Sequence, residues 1–197
     1  TTTDSFAADF VIPAVATLHR EQPGIEVQLQ TSTQMLNLAK READIAVRTH
    51  QPENPDLIVR RLARWGTGLF ASARYVEARG IPEAGSAFAG HDLVVYQPYL
   101  DAGKDVFLAG EPIIHGRIAM TCTSGFMVRR ALAAGLGVGE LPLPLGEADG
   151  LLRLWPDRPP LPYDVWLVTH KDVRHTARVR AVIDAIVQAF DVATASA

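Results

Sequence analysis

A single cysteine, Cys122, in 197 residues rules out an internal disulfide and fits a reducing compartment. It falls in Met120-Thr121-Cys122-Thr123, which reads as a strand end, where a buried, inert thiol is expected rather than a nucleophile. Aromatic residues make up only 7% of the chain and charged residues 21%, against 48% hydrophobic, the make-up of an ordinary α/β protein. No apolar run approaches the roughly 18 residues a membrane helix needs, and no charged-then-apolar leader opens the chain. No membrane partner is therefore expected, and a cytoplasmic location is. Positive charge is not in excess: 19 Lys and Arg stand against 22 Asp and Glu, which argues against a nucleic-acid surface. The one basic cluster, Lys171, Arg174, His175, Arg178 and Arg180, starts the last helix and reads as a solvated face before it reads as a contact for DNA or a partner.

Catalytic signatures are equally scarce. His19, His50, His91, His115, His170 and His175 show no metal-ligand spacing, and one cysteine adds little to a zinc site. No G-x-S-x-G elbow is present for an acyl-transfer serine. Gly135-x-Gly137-x-Gly139 follows a helix and leads into a strand, the reverse of a dinucleotide loop, so it reads as a turn. The expectation is no enzyme, no catalytic residue, no metal and no cofactor.

What is present is concentrated in the first 48 residues. Thr1-Thr2-Thr3 reads as a short strand, Asp4-Ser5 as a polar turn, and Phe6, Phe10, Ala14, Val15 and Leu18 as one face of a helix ending near Glu21. Pro13 should kink that helix or open its main part. Ile25, Val27 and Leu29 alternate with Glu26, Gln28 and Gln30 as a half-covered strand. Thr33 is placed to cap a helix from Gln34 to Arg41, and Ile45 and Val47 form a third strand. Strand, helix, strand, helix, strand predicts an open parallel α/β sheet, whose ligands bind off the carboxyl ends of the strands.

Farther along, Leu57 to Leu62 and Gly66 to Ala71 read as two strands, and Ser72 caps a helix through Arg79 that Gly80 stops. Leu93 to Tyr96 and Ile118 to Thr121 are strands, Ser124 caps the helix Phe126 to Ala134, and Val138 to Leu141 is a strand. Pro142 to Gly150 reads as a turn-rich link, Leu151 to Trp155 as a strand, and Pro156 to Pro162 as irregular. Val165 to Thr169 is apolar on both faces, and Thr176 to Phe190 is an amphipathic helix. The simplest assembly is two α/β lobes, one from residues 1–64 plus 168–197 and one from 65–167. Chain passes between them twice, near Arg64-Trp65-Gly66 and near Asp164 to Leu167, which predicts a hinge and a ligand cleft between the lobes.

The strand ends supply the candidate ligand contacts. Thr3, Asp4 and Ser5 lie at a helix start that favours an anion, although one of them can simply cap the helix and Asp4 itself repels anions. Gln30, Thr31, Ser32 and Thr33 are four polar residues where a cap needs one. Arg48 pairs with Asp44 or Glu53, or clamps a carboxylate. In the second lobe Thr123, Ser124 and Gly125 open a helix, again as cap or anion cradle. Gln97 and Tyr99 follow a strand, and Glu140 either meets a cationic ligand group or binds Arg129 or Arg130.

The helical opening with Pro13, Pro23-Gly24-Ile25-Glu26-Val27, Ala43-Asp44-Ile45-Ala46-Val47-Arg48, and the run from Ala131 to Pro142 together resemble the effector-binding domain of LysR-type transcriptional regulators. That resemblance covers nearly the whole chain. It implies two Rossmann-like lobes of the type II periplasmic-binding-protein kind, with a small polar or anionic effector held by both and a lobe arrangement that shifts on binding. It further implies a homodimer or homotetramer that reaches operator DNA only through an N-terminal helix-turn-helix absent from this sequence. The family turn at Gln30 to Thr33 commonly touches the effector. Asp4 and Glu140 depart from the family pattern, which has small neutral or apolar residues there, and point to a ligand with a donor or cationic group. Since the chain begins inside a strand, it is expected to be a piece of something longer. The competing expectations are a transport receptor of the same fold and, further off, a deaminase-like or dehydratase-like enzyme.

Overall fold

The structure is a computed structural model that describes residues 1–32, 38, 42–103 and 105–195. The chain divides into two compact units, Thr1–Arg64 with Asp164–Ala197, and Trp65–Tyr163. The return to the first unit thus falls at Asp164, four residues ahead of the expected 168.

In the first unit, α1 (Asp4–Phe6), a π-helical turn (Ala7–Val11) and α2 (Ile12–Glu21) form one continuous helical stretch. The wide turn ends two residues before Pro13, which has no N–H to donate and whose ring would crowd the carbonyl four residues back; widening the preceding turn is one way a helix absorbs this. Phe6, Phe10, Ala14 and Leu18 are buried as the period predicts, together with Ala7 and Val11. They face α7 (Ala177–Ala195), whose Val179, Val182, Ile186, Val187 and Phe190 are buried. Phe6 meets Phe190 edge-on, with centroids 5.9 Å apart and planes at 72°.

Thr1 and Thr2 lie between two other segments and bond to both in the parallel sense. Thr2 N–H donates to Gln30 C=O and Ser32 N–H to Thr2 C=O (3.1 and 3.0 Å), while on the other side Val47 N–H donates to Thr1 C=O at 3.0 Å. Residues 25–30 keep the predicted alternation, with Ile25, Val27 and Leu29 half-buried, but form no regular ladder; only the bridge Thr2 to Thr31 is present. β1 (Ile45–Arg48) pairs antiparallel with β9 (Leu161–His170), which is buried on both faces from Val165 to Thr169 apart from half-buried Trp166. β9 also neighbours β2 (Leu57–Ala71). The expected pair of strands at 57–62 and 66–71 is therefore one strand of 15 residues that runs through the boundary between units. The helix expected at 34–41, with its cap Thr33, lies outside the described residues except for buried Leu38.

In the second unit, α3 (Ala73–Arg79) starts at Ser72, whose hydroxyl accepts from Tyr75 N–H, and stops at Gly80 with φ +75°. β3 (Asp92–Tyr96) pairs in parallel with β6 (Arg117–Cys122) and, through Val94 N–H to Val138 C=O at 2.9 Å, lies beside the start of β7 (Gly139–Pro142). β7 and β8 (Leu152–Leu154) both pair antiparallel with β2. Side chains alternate across this sheet. Leu69, Leu93 and Val95 pack on one face with Phe88 and Val138, and Phe70 and Val94 on the other with Val128 and Leu132. The remaining elements are α4 (Gln97–Asp101), the small hairpin β4 (Phe107–Leu108) and β5 (Glu111–Pro112), α5 (Gly125–Ala133) and α6 (Leu143–Ala148). α6 replaces the expected turn-rich link: Pro144 sits in its first turn, where a missing N–H costs nothing.

Gly137 and Gly139 explain the glycine run. A Cβ on Gly137 would stand 2.5 Å from the Asp92 carbonyl oxygen, and one on Gly139 2.8 Å from that of Val94. The run lets β7 approach β3 backbone to backbone.

Candidate functional site

The first unit gathers its predicted residues at one edge, because Gln30–Ser32, Thr1–Thr3 and β1 are adjacent and run the same way. Thr3 is the residue before α1, with φ −75° and ψ 158°; its carbonyl accepts from Ala7 N–H at 2.9 Å, and its side chain makes no cap. Asp4 and Ser5 are not a turn between strand and helix but the first two helical residues. The Asp4 carboxylate accepts the Ser5 N–H at 2.8 Å, so the acid itself occupies part of the helix start that an anion would use. The Ser5 residue is buried. Gln30, Thr31 and Ser32 have exposed side chains with their backbones fixed on Thr2. Arg48 ends β1, half-buried, and burial draws its pKa down while leaving a guanidinium charged at neutral pH.

A hollow of about 600 Å³ also lies in this unit, edged by Val11, residues 24–30, Ala43 to Ile45, and Val179, Val182 and Ile186 of α7. Of the predicted residues that the structure describes it reaches Gln30 alone, so the candidate set does not rest on this cavity.

In the second unit Ser124 caps α5, its hydroxyl accepting from Met127 N–H at 3.0 Å, with Thr123 exposed before it and Gly125 as the first helical residue. Cys122 is half-buried, not fully buried as expected, and its sulfur accepts from Ser124 N–H at 3.4 Å. Gln97 opens α4 and turns onto Asp101, donating to its carboxylate at 2.7 Å.

Glu140 does not take Arg129, which pairs with Asp149. It stands opposite Leu69 on β7, half-buried, and its carboxylate accepts the Ala109 N–H. Burial raises its pKa, with the Ala109 N–H and the Thr67 hydroxyl pulling the other way. Around it is a group that sequence reasoning saw only in part. Tyr96 and Tyr99 meet edge to face at 5.5 Å, and the Tyr99 hydroxyl is pushed up to about 12 by desolvation first, then by the charge of Glu140 and by Tyr96. The Tyr163 hydroxyl is pushed up as well, by burial and by both of those tyrosines. Tyr96-x-x-Tyr99 was a visible signal; Tyr163, far along the chain, was not.

Among the described residues no three His, Cys, Asp or Glu side chains come together to hold a metal ion, and no helix is long and apolar enough to cross a membrane. The chain is thus a two-unit α/β domain. The chain belongs to the LysR substrate binding domain family, whose model matches residues 1–191. It has the corresponding fold, of the type II periplasmic-binding-protein kind, and is a LysR-type regulatory, effector-binding domain. The regulatory domain of CrgA, a LysR-type transcriptional regulator from Neisseria meningitidis, is similar with a TM-score of 0.80 at 23% identity, over 95% of both chains. The longer CrgA structure gives 0.82 at 23% identity, over 96% of this chain and 66% of that one. An HTH-type transcriptional regulator of Haemophilus influenzae is 24% identical over 144 residues, 70% of this chain and 48% of the relative. The chain spans about half the length of that relative. Nothing in these likenesses supports the transport receptor.

Proposed function

We propose that this domain binds a small polar molecule at the strand ends of the first unit, with Thr3, Asp4, Ser5, Gln30, Thr31, Ser32, Thr33 and Arg48 as contacts. The observation that carries the reading is that Thr3–Ser5, Gln30–Ser32 and Arg48 lie at the ends of three adjacent segments that run the same way, β1 being one of them. Arg48 suits a carboxylate on the ligand, while Asp4 and Glu140 suit a donor or cationic group, so the chemistry favoured is that of an amino or hydroxy acid. Gln97, Thr123, Ser124, Gly125 and Glu140 are proposed to complete the recognition. No catalytic role is assigned to any of them, and the domain acts as a sensor without turnover.

In the whole protein the effector is proposed to bias one arrangement of a homodimer or homotetramer, and operator DNA to be held by an N-terminal helix-turn-helix, in the bacterial cytoplasm. An effector can do this only by binding one arrangement more tightly than the other. The test is thermal unfolding of this chain against a panel of small carboxylates, amines and hydroxy acids, with each hit repeated on Arg48→Ala and Ser32→Ala. At a hundredfold excess over Kd a ligand stabilises by about 2.7 kcal/mol, an easily read shift. Loss of that shift in both folded variants supports the site; unchanged affinity in both defeats it.

A further inference from the structure

A second hollow, about 250 Å³, lies in the unit of residues 65–163 and takes its walls from the end of α3, the turn before β3 and the start of β6. It is lined by Arg79, Gly90, His91, Asp92, His115 and Arg117. None of these belongs to the effector site proposed above. We propose that this hollow is a binding site for a phosphate-type oxyanion, inorganic phosphate or a small phosphomonoester.

Three features point that way. The first is the charge. The one carboxylate, Asp92, is shared between two guanidiniums, with Oδ1 2.5 Å from Arg117 Nε and Oδ2 3.5 Å from Arg79 Nη2. Two positive groups on one negative group leave an excess of one positive charge before either histidine is protonated. Asp92 thereby orients the arginines and does not cancel them.

The second is the donors. Arg117 engages Asp92 through Nε alone and its side chain is 74% exposed, so among the described residues its two Nη groups have no protein acceptor. Those two groups form the fork that reads a tetrahedral oxyanion. His91 adds a donor through its tautomer. The Tyr75 hydroxyl oxygen accepts the Asp92 N–H at 2.9 Å, so its proton is free to go to His91 Nδ1, 3.2 Å away. Neutral His91 then carries its own proton on Nε2, as a donor. The groups that bear on this ring are Tyr75 and Arg79 of α3 and Asp92 of β3, while Arg117 of β6 and His115 of the turn before it line the same hollow.

The third is rigidity. Arg117 N–H donates to His91 C=O at 2.9 Å, His91 N–H to Phe88 C=O at 3.1 Å, and His115 N–H to Ala87 C=O at 3.0 Å. Gly90 turns the chain between them at φ +80°. The loops that carry the donors are tied to each other by main-chain bonds, so the anion finds its ligands already placed.

The probe is inorganic phosphate, titrated into this chain by calorimetry against sodium chloride of matched ionic strength, with the His91 and His115 ring resonances followed by NMR. Saturable binding that moves both rings is expected, weakened about tenfold or more in Arg117→Gln, the loss of a charge-assisted fork. His115→Ala, at an exposed side chain, should weaken it severalfold with the unfolding midpoint unchanged. Glycerol phosphate in parallel separates the sources: tighter binding than inorganic phosphate indicates a phosphomonoester, weaker binding the free ion. A response no different from chloride, or phosphate affinity unaltered in both variants, overturns the proposal.

Discussion

Arg129 and Asp149 form a two-pronged ion pair, Nε to Oδ2 at 2.7 Å and Nη2 to Oδ1 at 2.8 Å, with the arginine side chain 3% exposed. It joins α5 to the residue that ends α6. Removing the carboxylate takes a two-pronged partner from a charge that has already lost its water. Asp149→Ala should therefore destabilise the chain toward the lower end of about 3–5 kcal/mol, since Asp149 itself keeps some solvent contact. Urea unfolding checks it; a cost below about 1 kcal/mol would mean that water or another acceptor replaces the carboxylate.

Glu140 sets a pH dependence of opposite sign to an ordinary salt-bridged acid. Its folded-state pKa lies above the usual 4.5, so over that interval the folded chain holds a proton that the unfolded chain has released. Stability contributed by Glu140 is accordingly full below the ordinary value and is lost as pH rises through the raised one. Glu140→Gln keeps an acceptor for the Ala109 N–H without the charge. The variant should gain on the wild type between acidic and neutral pH in paired unfolding curves. A gap that stays constant with pH would show that Glu140 ionises as freely folded as unfolded.

Gly137→Ala places a Cβ 2.5 Å from a β3 carbonyl, which is backbone and cannot swing aside. The expected cost is about 1–3 kcal/mol, read by denaturant midpoint. Gly24→Ala, where a Cβ meets nothing within 4 Å, is the control and should lie within about 0.5 kcal/mol of the wild type.

These positions also mark how far the sequence could be read. The Ser72 and Ser124 caps and their helices were legible because a cap hydroxyl and the N–H that donates to it sit three residues apart. The family and fold were legible because the order of several ordinary strand and turn words is rarer than any one of them. β2 was read as two strands since Arg64-Trp65-Gly66 interrupts the alternation just where the chain changes unit. α6 was read as a turn because Pro142, Pro144 and Gly146 are turn residues everywhere except in the first turn and against a close neighbour; here Phe70 would lie 2.6 Å from a Cβ on Gly146. The partners of Glu140 and Arg129 lie 31 and 20 residues away, beyond any local pattern. The polar strand ends were visible, whereas the carboxylate of Asp4 turning back onto Ser5 N–H was not, because a side-chain rotamer decides it.

Phe10 and Phe190 stack at 4.1 Å with planes 15° apart, and Phe190 is fully buried. One belongs to the π-helical turn ahead of Pro13 and the other to the closing stretch of α7, so this contact fastens the last helix onto the first. Phe190→Ala removes the ring and leaves a cavity beside Phe10 and Phe6, which touches both. The expected loss is about 3–5 kcal/mol. Phe190→Leu keeps most of the buried volume and forfeits the stacking, worth about 0.5–1.5 kcal/mol beyond area. Denaturant unfolding should therefore rank wild type above Phe190→Leu above Phe190→Ala. Equal midpoints for the two variants would place the energy in ring stacking instead of filled volume, and a near-silent Phe190→Ala would mean that α7 is not fastened through this residue.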